Sequence, residues 1–388
     1  MNKVLSGSSK LVFICLFLIF LNSVVQMISV LGTLFLHNLD YTPLNIGFIF
    51  TFFGIGSLIG GYLGGVLSDK FPIINIIKIS LVGNAIFIGV FPFYNMFEYF
   101  LICMLVIGFF CGIFRPLAIL LLFECNKGLI SESKLIAYRR VSINLGFSIG
   151  AATLGFLYEY NSSIAFLSIS VILIFGFLLS KFIVVDAKKK HKEDVASSNK
   201  SASNNYIFYI LNIILVISLI ILNQNKTTYN IFLESSASIP VKNISLLFAL
   251  NGLIIIFLQI PLSNIFNKLS YTIACFYGIL FLALGIGMTT IISSFSLAIV
   301  SCVLWTVGEM VLYPPLLLYI TSSSNYSKGK TMGIYQVFYA IGSLVTPLLG
   351  TLIYNFSAQL LWNIVLVLGV ICGITFLLIH KLNIKYID

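Results

Sequence analysis

Twelve stretches of about 20 or more mostly apolar residues, separated by short polar punctuation, constrain this chain more than any other feature in it. A helix of about 20 residues crosses the roughly 30 Å hydrocarbon layer of a bilayer. Inside that layer every backbone N–H and C=O must be bonded within the protein, so each run is read as a spanning helix. The runs lie near 11 to 36, 44 to 67, 73 to 93, 98 to 123, 139 to 158, 163 to 185, 206 to 233, 243 to 264, 270 to 292, 295 to 320, 331 to 354 and 358 to 380. Only 9% of the 388 residues are charged, against roughly 25% in soluble domains. An all-α integral membrane protein is the expected class.

The net charge of +10 would suit a nucleic-acid partner, but its distribution points elsewhere. Nineteen of the 22 Lys and Arg fall at the two ends or in even-numbered connections, among them Lys3, Lys10, Lys70, Lys127, Arg139, Arg140, Lys188, Lys268, Lys328 and Lys381. That asymmetry follows the positive-inside rule and places both termini and the middle loop in the cytoplasm. Lys3 and Lys10 ahead of the first run give it the look of a signal sequence. Its apolar character continues to Leu36, so an uncleaved first span is expected. The seven cysteines contain no Cys-x-x-Cys and read as small apolar fillers. Residues 186 to 205, rich in Lys, Ser and Asn, are expected to form a disordered cytoplasmic linker between bundles at 1–185 and 206–388, with a lipid-binding basic cluster as the other reading.

Within the tenth run stands Gly308-Glu309-Met310-Val311-Leu312-Tyr313-Pro314-Pro315. Glu309 is roughly 16 Å from Ile320 and roughly 21 Å from Phe295 along a helix, which is mid-membrane depth. An ionised side chain there costs about 3 kcal/mol on insertion scales, so such groups usually face a protein interior or watery cavity. Low dielectric disfavours the ionised carboxylate, so Glu309 is a candidate to load and release a proton. The competing reading is a protonated structural acid bonded to a neighbouring helix.

Other polar groups within the runs are weaker candidates. Asn22 and Gln26, four apart on one helical face, either line a polar cavity or bond a neighbouring helix. Arg115, roughly 12 Å inside the end of its run at Phe123, either snorkels to the surface or serves as an anion-binding or charge-relay arginine. Lys226 either snorkels outward or contacts substrate. Asn144, Gln224, Asn251, Tyr313, Gln336 and Tyr339 are further candidate cavity-lining residues. In the second run Gly56, Gly60 and Gly64 recur every four residues, the spacing of a close helix–helix approach.

Internal repetition links the halves. Leu67-Ser68-Asp69 returns as Leu262-Ser263-Asn264 at an offset of 195, Gly112 as Gly308 and Gly146 as Gly342 at 196. Six runs per half, both starting on one side, imply parallel repeats related about the membrane normal, with a solute site expected between them near the midplane.

The turn Gly65-Val66-Leu67-Ser68-Asp69-Lys70 resembles the second-to-third-span loop of the major facilitator superfamily, Gly-x-Leu-x-Asp-Arg/Lys-x-Gly. Pro72 stands in place of the later glycine, and Ile73 and Ile74 in place of the basic pair. Gly112-Ile113-Phe114-Arg115-Pro116 and Tyr138-Arg139-Arg140 through Asn144-Leu145-Gly146 are similar to drug/proton antiporters and proton-coupled peptide transporters. The first run has no acid, unlike the Glu-rich first span of the peptide branch, which places the resemblance nearer the antiporters. The resemblance implies the major facilitator fold, a conformational latch at Gly65, Asp69 and Lys70, a fourth-span basic residue at Arg115, and a multi-pass bacterial inner-membrane location. The arginines at 139 and 140 are read as interface anchors.

Enzymatic readings find no support: Gly329-Lys330-Thr331 lacks the upstream glycine of a phosphate loop, no His-Glu-x-x-His occurs, and no cofactor or metal is expected. The expected function is proton-coupled transport of a small organic solute by alternating access, with lipid, protons and solute as partners and a monomer as the working form. Arg115, with Lys226 as a further candidate, beside one clear deep acid suits an anionic or zwitterionic solute such as a carboxylate siderophore. Efflux of lipophilic cations by proton antiport is the rival.

Overall fold

A computed structural model describes residues 2–68, 70–126, 128–130, 132–183, 206–266, 269–326 and 328–385. These residues are helical and carry no strand. Twelve helices are long and apolar enough to cross a bilayer: α1 (Ser9–Asn38), α2 (Pro43–Ser68), α3 (Ile73–Phe93), α4 (Phe97–Asn126), α5 (Tyr138–Tyr160), α6 (Ser162–Ser180), α7 (Tyr206–Ser235), α8 (Val241–Gln259), α9 (Tyr271–Ile291), α10 (Phe295–Ser322), α11 (Ile334–Phe356) and α12 (Ala358–Lys381). The helix containing α5 begins earlier, at Glu132. The sixth helix stops short of its apolar run: at Lys181 and Phe182 the chain turns, and the Lys181 ammonium settles 5.1 Å from the Phe177 ring centroid.

Two compact units are present. The first comprises Met1–Tyr41, Phe48–Lys189 and Pro240–Ile256; the second comprises Thr42–Gly47, Lys190–Ile239 and Phe257–Asp388. Lipid tails are as apolar as the side chains they would replace, so helices gain little from hydrophobic burial against each other and associate through close packing and hydrogen bonds. The first unit shows this on α2 and α4. A methyl added at Gly56 would strike Leu105 O, one at Gly60 would strike Phe109 O, and one at Gly64 would meet the backbone of Ile113. The contact thus advances by one turn on both helices at each step, as the four-residue glycine spacing predicts. At one end of the unit Phe35, Phe91, Phe100 and Phe166 interlock, with centroids 5.3 Å apart for Phe35 and Phe166 and 5.0 Å for Phe91 and Phe100.

In the second unit α10 is held on two sides. Ser301 donates to Gly285 O of α9 at 2.7 Å and meets Tyr229 Oη of α7 at 3.1 Å. Trp305 and Gly308 pack on the same helix α9, leaving no room for a side chain at Gly308. These contacts set the rotation of α10, and with it the direction of Glu309.

Both α1 and α7 are interrupted. Val24–Met27 and Gln224–Lys226 wind as 3₁₀ helix in mid-span. Four prolines interrupt the donor series of α4, α10 and α11, at Pro116, Pro314, Pro315 and Pro347. Each removes one N–H from its own helix. Around Pro347 the Thr351 hydroxyl bonds the proline's own carbonyl at 2.7 Å.

Candidate functional site

In the second unit Glu309 is half-buried on α10, with Tyr313 one turn further on the same face. Pro314 and Pro315 deprive the carbonyls of Met310 and Val311 of their usual i+4 donors, which adds polarity beside the carboxylate. Tyr313 lies within electrostatic reach of Glu309 and of Tyr335 and Tyr339 on α11, and it turns toward Ser218 of α7. Ser218 gives its own proton to Leu215 O at 2.8 Å. The Tyr313 oxygen is buried with no partner at ordinary hydrogen-bond distance. Tyr335 and Tyr339 stand one turn apart with ring centroids 6.2 Å apart. Gln336, between them in sequence, is exposed. The structure therefore gathers Glu309, Tyr313 and Tyr339 and adds Ser218 and Tyr335.

In the first unit Arg115 lies within roughly 5 Å of the midpoint of α4 along its axis and is exposed. An arginine facing acyl chains at that depth is costly, whether it snorkels to the surface or lines a cavity. Its charge is felt by Cys111, one turn nearer the other end of α4, and by Arg139 of α5. Asn22 is half-buried with its carboxamide oxygen unpartnered, and Gln26 is half-buried inside the break of α1. Asn144 spends its amide N–H on Arg140 O at 3.1 Å, one turn back along its own helix. Asn251, in the portion of α8 that belongs to this unit, is buried.

The break of α7 uses its polar groups locally. Gln224 is fully buried, donates to Ile220 O at 3.1 Å and accepts from Thr228 Oγ1 at 2.7 Å, so it ties the two halves of the helix together. Lys226 is half-buried at the end of the same segment. Gly65 and Lys70 are exposed around the turn after α2, where Lys70 N donates to Leu67 O at 3.0 Å. Asp69, the acidic member of the expected latch, lies outside the described residues. No group of three or more His, Cys, Asp and Glu side chains able to hold a metal occurs among the described residues.

Twelve spanning helices, an acid with phenols on the fourth span of one unit and arginines on the fourth and fifth of the other make the comparison with known proteins specific. The sequence matches the Major Facilitator Superfamily over residues 12–328. The chain belongs to that superfamily. It is 22% identical over 372 residues to the quinolone resistance protein NorA of Staphylococcus aureus, covering 94% of each chain. Its fold is similar to a mutant of the nucleoside transporter NupG, with a TM-score of 0.80, 14% identity and coverage of 95% of this chain and 99% of that one. It is also similar to a POT family transporter solved with 5-aminolevulinic acid, with a TM-score of 0.76, 15% identity and coverage of 98% and 96%. Membership of the superfamily makes this a membrane transporter, and the solved structures share its fold.

Two residues escaped the sequence reading. Arg139 stood next to Arg140 at the border of an apolar run, where an arginine is ordinarily an anchor; it is half-buried, with its Nε unpartnered and its charge within electrostatic reach of that of Arg115. Tyr335 carried a readable signal: with Tyr339 it forms an i, i+4 pair of phenols on one face.

Proposed function

We propose that the chain is a proton-coupled secondary transporter, working as a monomer by alternating access, of a small organic solute that carries a negative group, alone or in a zwitterion. A carboxylate siderophore is one solute of that description. The observation that carries the reading is Glu309: a half-buried carboxylate in mid-span, one turn from Tyr313, whose buried hydroxyl turns toward Ser218. A proton on Glu309 removes a charge from a low-dielectric setting, and solute binding that senses this charge is thereby coupled to protonation. The lobes are 1–185 and 206–388, joined by 186–205, with both termini cytoplasmic and Gly65, Asp69 and Lys70 as a latch.

Cation efflux by proton antiport is the second reading. It is favoured by the tilted Tyr335 and Tyr339 rings, which like the Glu309 carboxylate lie within electrostatic reach of Tyr313, and by the resistance named for the Staphylococcus aureus relative. Purified protein in vesicles with an imposed pH gradient, offered labelled citrate-type anions or lipophilic cations, separates the two. The first reading expects proton-driven movement of the anions, lost in Glu309→Gln that inserts normally. Unchanged pH dependence in that variant overturns proton coupling through Glu309, and flux of cations alone gives the second reading.

A further inference from the structure

The break in α7 carries polar groups that neither the coupling at Glu309 nor the repair of the helix uses. The first part of the helix ends at Asn223, the chain winds as 3₁₀ through Gln224–Lys226, and a second helix runs over Thr228–Ser235, with Thr227 between them at φ −129° and ψ −92°. Two bonds fix the chain on either side of Thr227. Its own N–H donates to Gln224 O at 3.1 Å, and the Ile231 N–H donates to Thr227 O at 3.2 Å. Thr227 lies roughly 10 Å from the midpoint of α7, inside a hydrocarbon layer of about 15 Å half-thickness. Three directions around the second helix are already taken. Gln224, bonded to Thr228, packs on Gly350 of α11; Tyr229 bonds Ser301 of α10; Phe232 meets Trp362 of α12 edge-on with centroids 6.2 Å apart. At about 100° per residue, Thr227, Asn230 and the half-buried Glu234 share the remaining face.

On that face two polar side chains are buried without partners. Asn230 is fully buried, and neither its carboxamide oxygen nor its nitrogen is hydrogen-bonded. Thr227 is 2% exposed, and its hydroxyl is also unpartnered. A threonine at this position ordinarily accepts from an N–H two or three residues on, and here the hydroxyl makes no such cap. Asn225, in the 3₁₀ turn that the Thr227 N–H closes, is 4% exposed and leaves its Oδ1 unpartnered. Residues three apart on a helix have Cβ atoms about 5–6 Å apart, so Thr227 and Asn230 can hold one small ion between their oxygens. The unpartnered atoms are three oxygens and one nitrogen, and broken transmembrane helices coordinate small cations through oxygens at the break. The opposite dipole ends of the two helices meet here, and Lys226 and Glu234, both half-buried, add one charge of each sign. The segment therefore has no net charge to oppose a cation. Calcium and magnesium sites draw on carboxylates, whereas carboxamides and a hydroxyl suit a single positive charge. We propose that Asn225, Thr227 and Asn230 form a binding site for one monovalent cation, sodium, at the break of α7. The site is separate from Glu309 and does not depend on which solute is carried. A buried water bonded to the same groups is the alternative that the test has to exclude.

The test uses full-length protein in a neutral detergent and sodium chloride as the probe, compared with potassium chloride and choline chloride at matched ionic strength. Sodium is expected to raise the unfolding temperature of the wild type by about 3 °C over both. That increment should vanish in Asn230→Leu and Thr227→Val, remain whole in Glu309→Gln, and be the same when gluconate replaces chloride. Both apolar variants remove unpartnered buried groups at nearly constant shape, so they should fold. Should either fail to, binding of radioactive sodium to the wild type gives the answer: one ion per chain, displaced by unlabelled sodium and not by potassium or choline. Equal unfolding temperatures in the three salts, with no radioactive sodium retained, mean that the groups hold water and overturn the site. An increment that persists in both apolar variants, or one that follows chloride, overturns it as well. Loss of proton-driven flux in Glu309→Gln with no sodium effect sinks this inference alone. A sodium effect abolished in Asn230→Leu, beside unchanged pH dependence in Glu309→Gln, sinks the proton-coupling reading alone.

Discussion

The fourth span of each unit carries the deep charge of that unit, and the two charges have opposite sign. On α4 it is Arg115; on α10 it is Glu309, with Tyr313 one turn further on the same face. The scaffolds around them are related. Gly146 of α5 packs on Phe20 and Ser23 of α1, and Gly342 of α11 packs on Val216 and Leu219 of α7, the same task at an offset of 196. The other glycine pair at that offset does different work: Gly112 meets Ser57 and Gly61 of α2, whereas Gly308 meets Leu282 of α9. Duplication has preserved how the first and fifth spans of each half meet, while the face presented by the fourth span differs. The chemistry is therefore asymmetric where the fold is not. On the reading proposed above, one unit holds the negative group of the solute and the other exchanges a proton.

The sharpest way to break this comparison is to remove each charge and ask which property goes with it. Glu309→Gln should lower proton-driven flux by about tenfold or more, the size of an ordinary coupling free energy, while leaving the preference for anionic over cationic solutes in place. Arg115→Gln should do the reverse, with a loss of about tenfold for anions, little change for lipophilic cations, and an unaltered pH profile. Flux in vesicles at several external pH values reads both. If either variant removes both properties together, the division of labour between the units is wrong.

A smaller effect should come from the phenol. Tyr313→Phe deletes an oxygen that is buried and has no partner at ordinary hydrogen-bond distance, so the protein should be no less stable and up to about 1 kcal/mol more so. Transport should nevertheless fall by about threefold, because the donor is needed only when water or solute is present. A merely structural hydroxyl would give the opposite result, a drop in unfolding temperature with flux per folded molecule unchanged.

How far the chain could be read in advance follows from which forces act within a segment. Hydropathy is a local sum, so the twelve spans were legible, as was the α2–α4 contact from Gly56, Gly60 and Gly64. Glu309 was legible because a lone acid in an apolar run is costly whatever its neighbours. The breaks in α1 and α7 were not, because neither Val24–Met27 nor Gln224–Lys226 contains glycine or proline and the tighter winding leaves composition unchanged. Gln224 looked like a lining residue and is bound into its own helix, since a carboxamide reads the same whether it faces a cavity or a backbone carbonyl. Arg139 looked like an interface anchor, and its half-buried position with an unpartnered Nε depends on tertiary surroundings that hydropathy does not sum.

The smallest effect is the one that shows whether depth, and not charge alone, sets apart Arg115 in the first unit. Lys242 and Glu159 also belong to that unit and form an ion pair with Nζ to Oε2 at 3.2 Å, at the ends of α8 and α5. Both side chains are substantially exposed, so water and salt screen them and the pair should contribute less than about 1 kcal/mol. Glu159 keeps a second bond from the Lys242 backbone N–H at 3.1 Å, which substitution of the lysine side chain leaves intact. Lys242→Gln should accordingly change flux by less than about twofold, and the residual effect should shrink as ionic strength rises through a Debye length of about 8 Å at physiological salt. A loss as large as that in Arg115→Gln would mean that transport responds to the total positive charge of the unit, and the distinction drawn for Arg115 would fall.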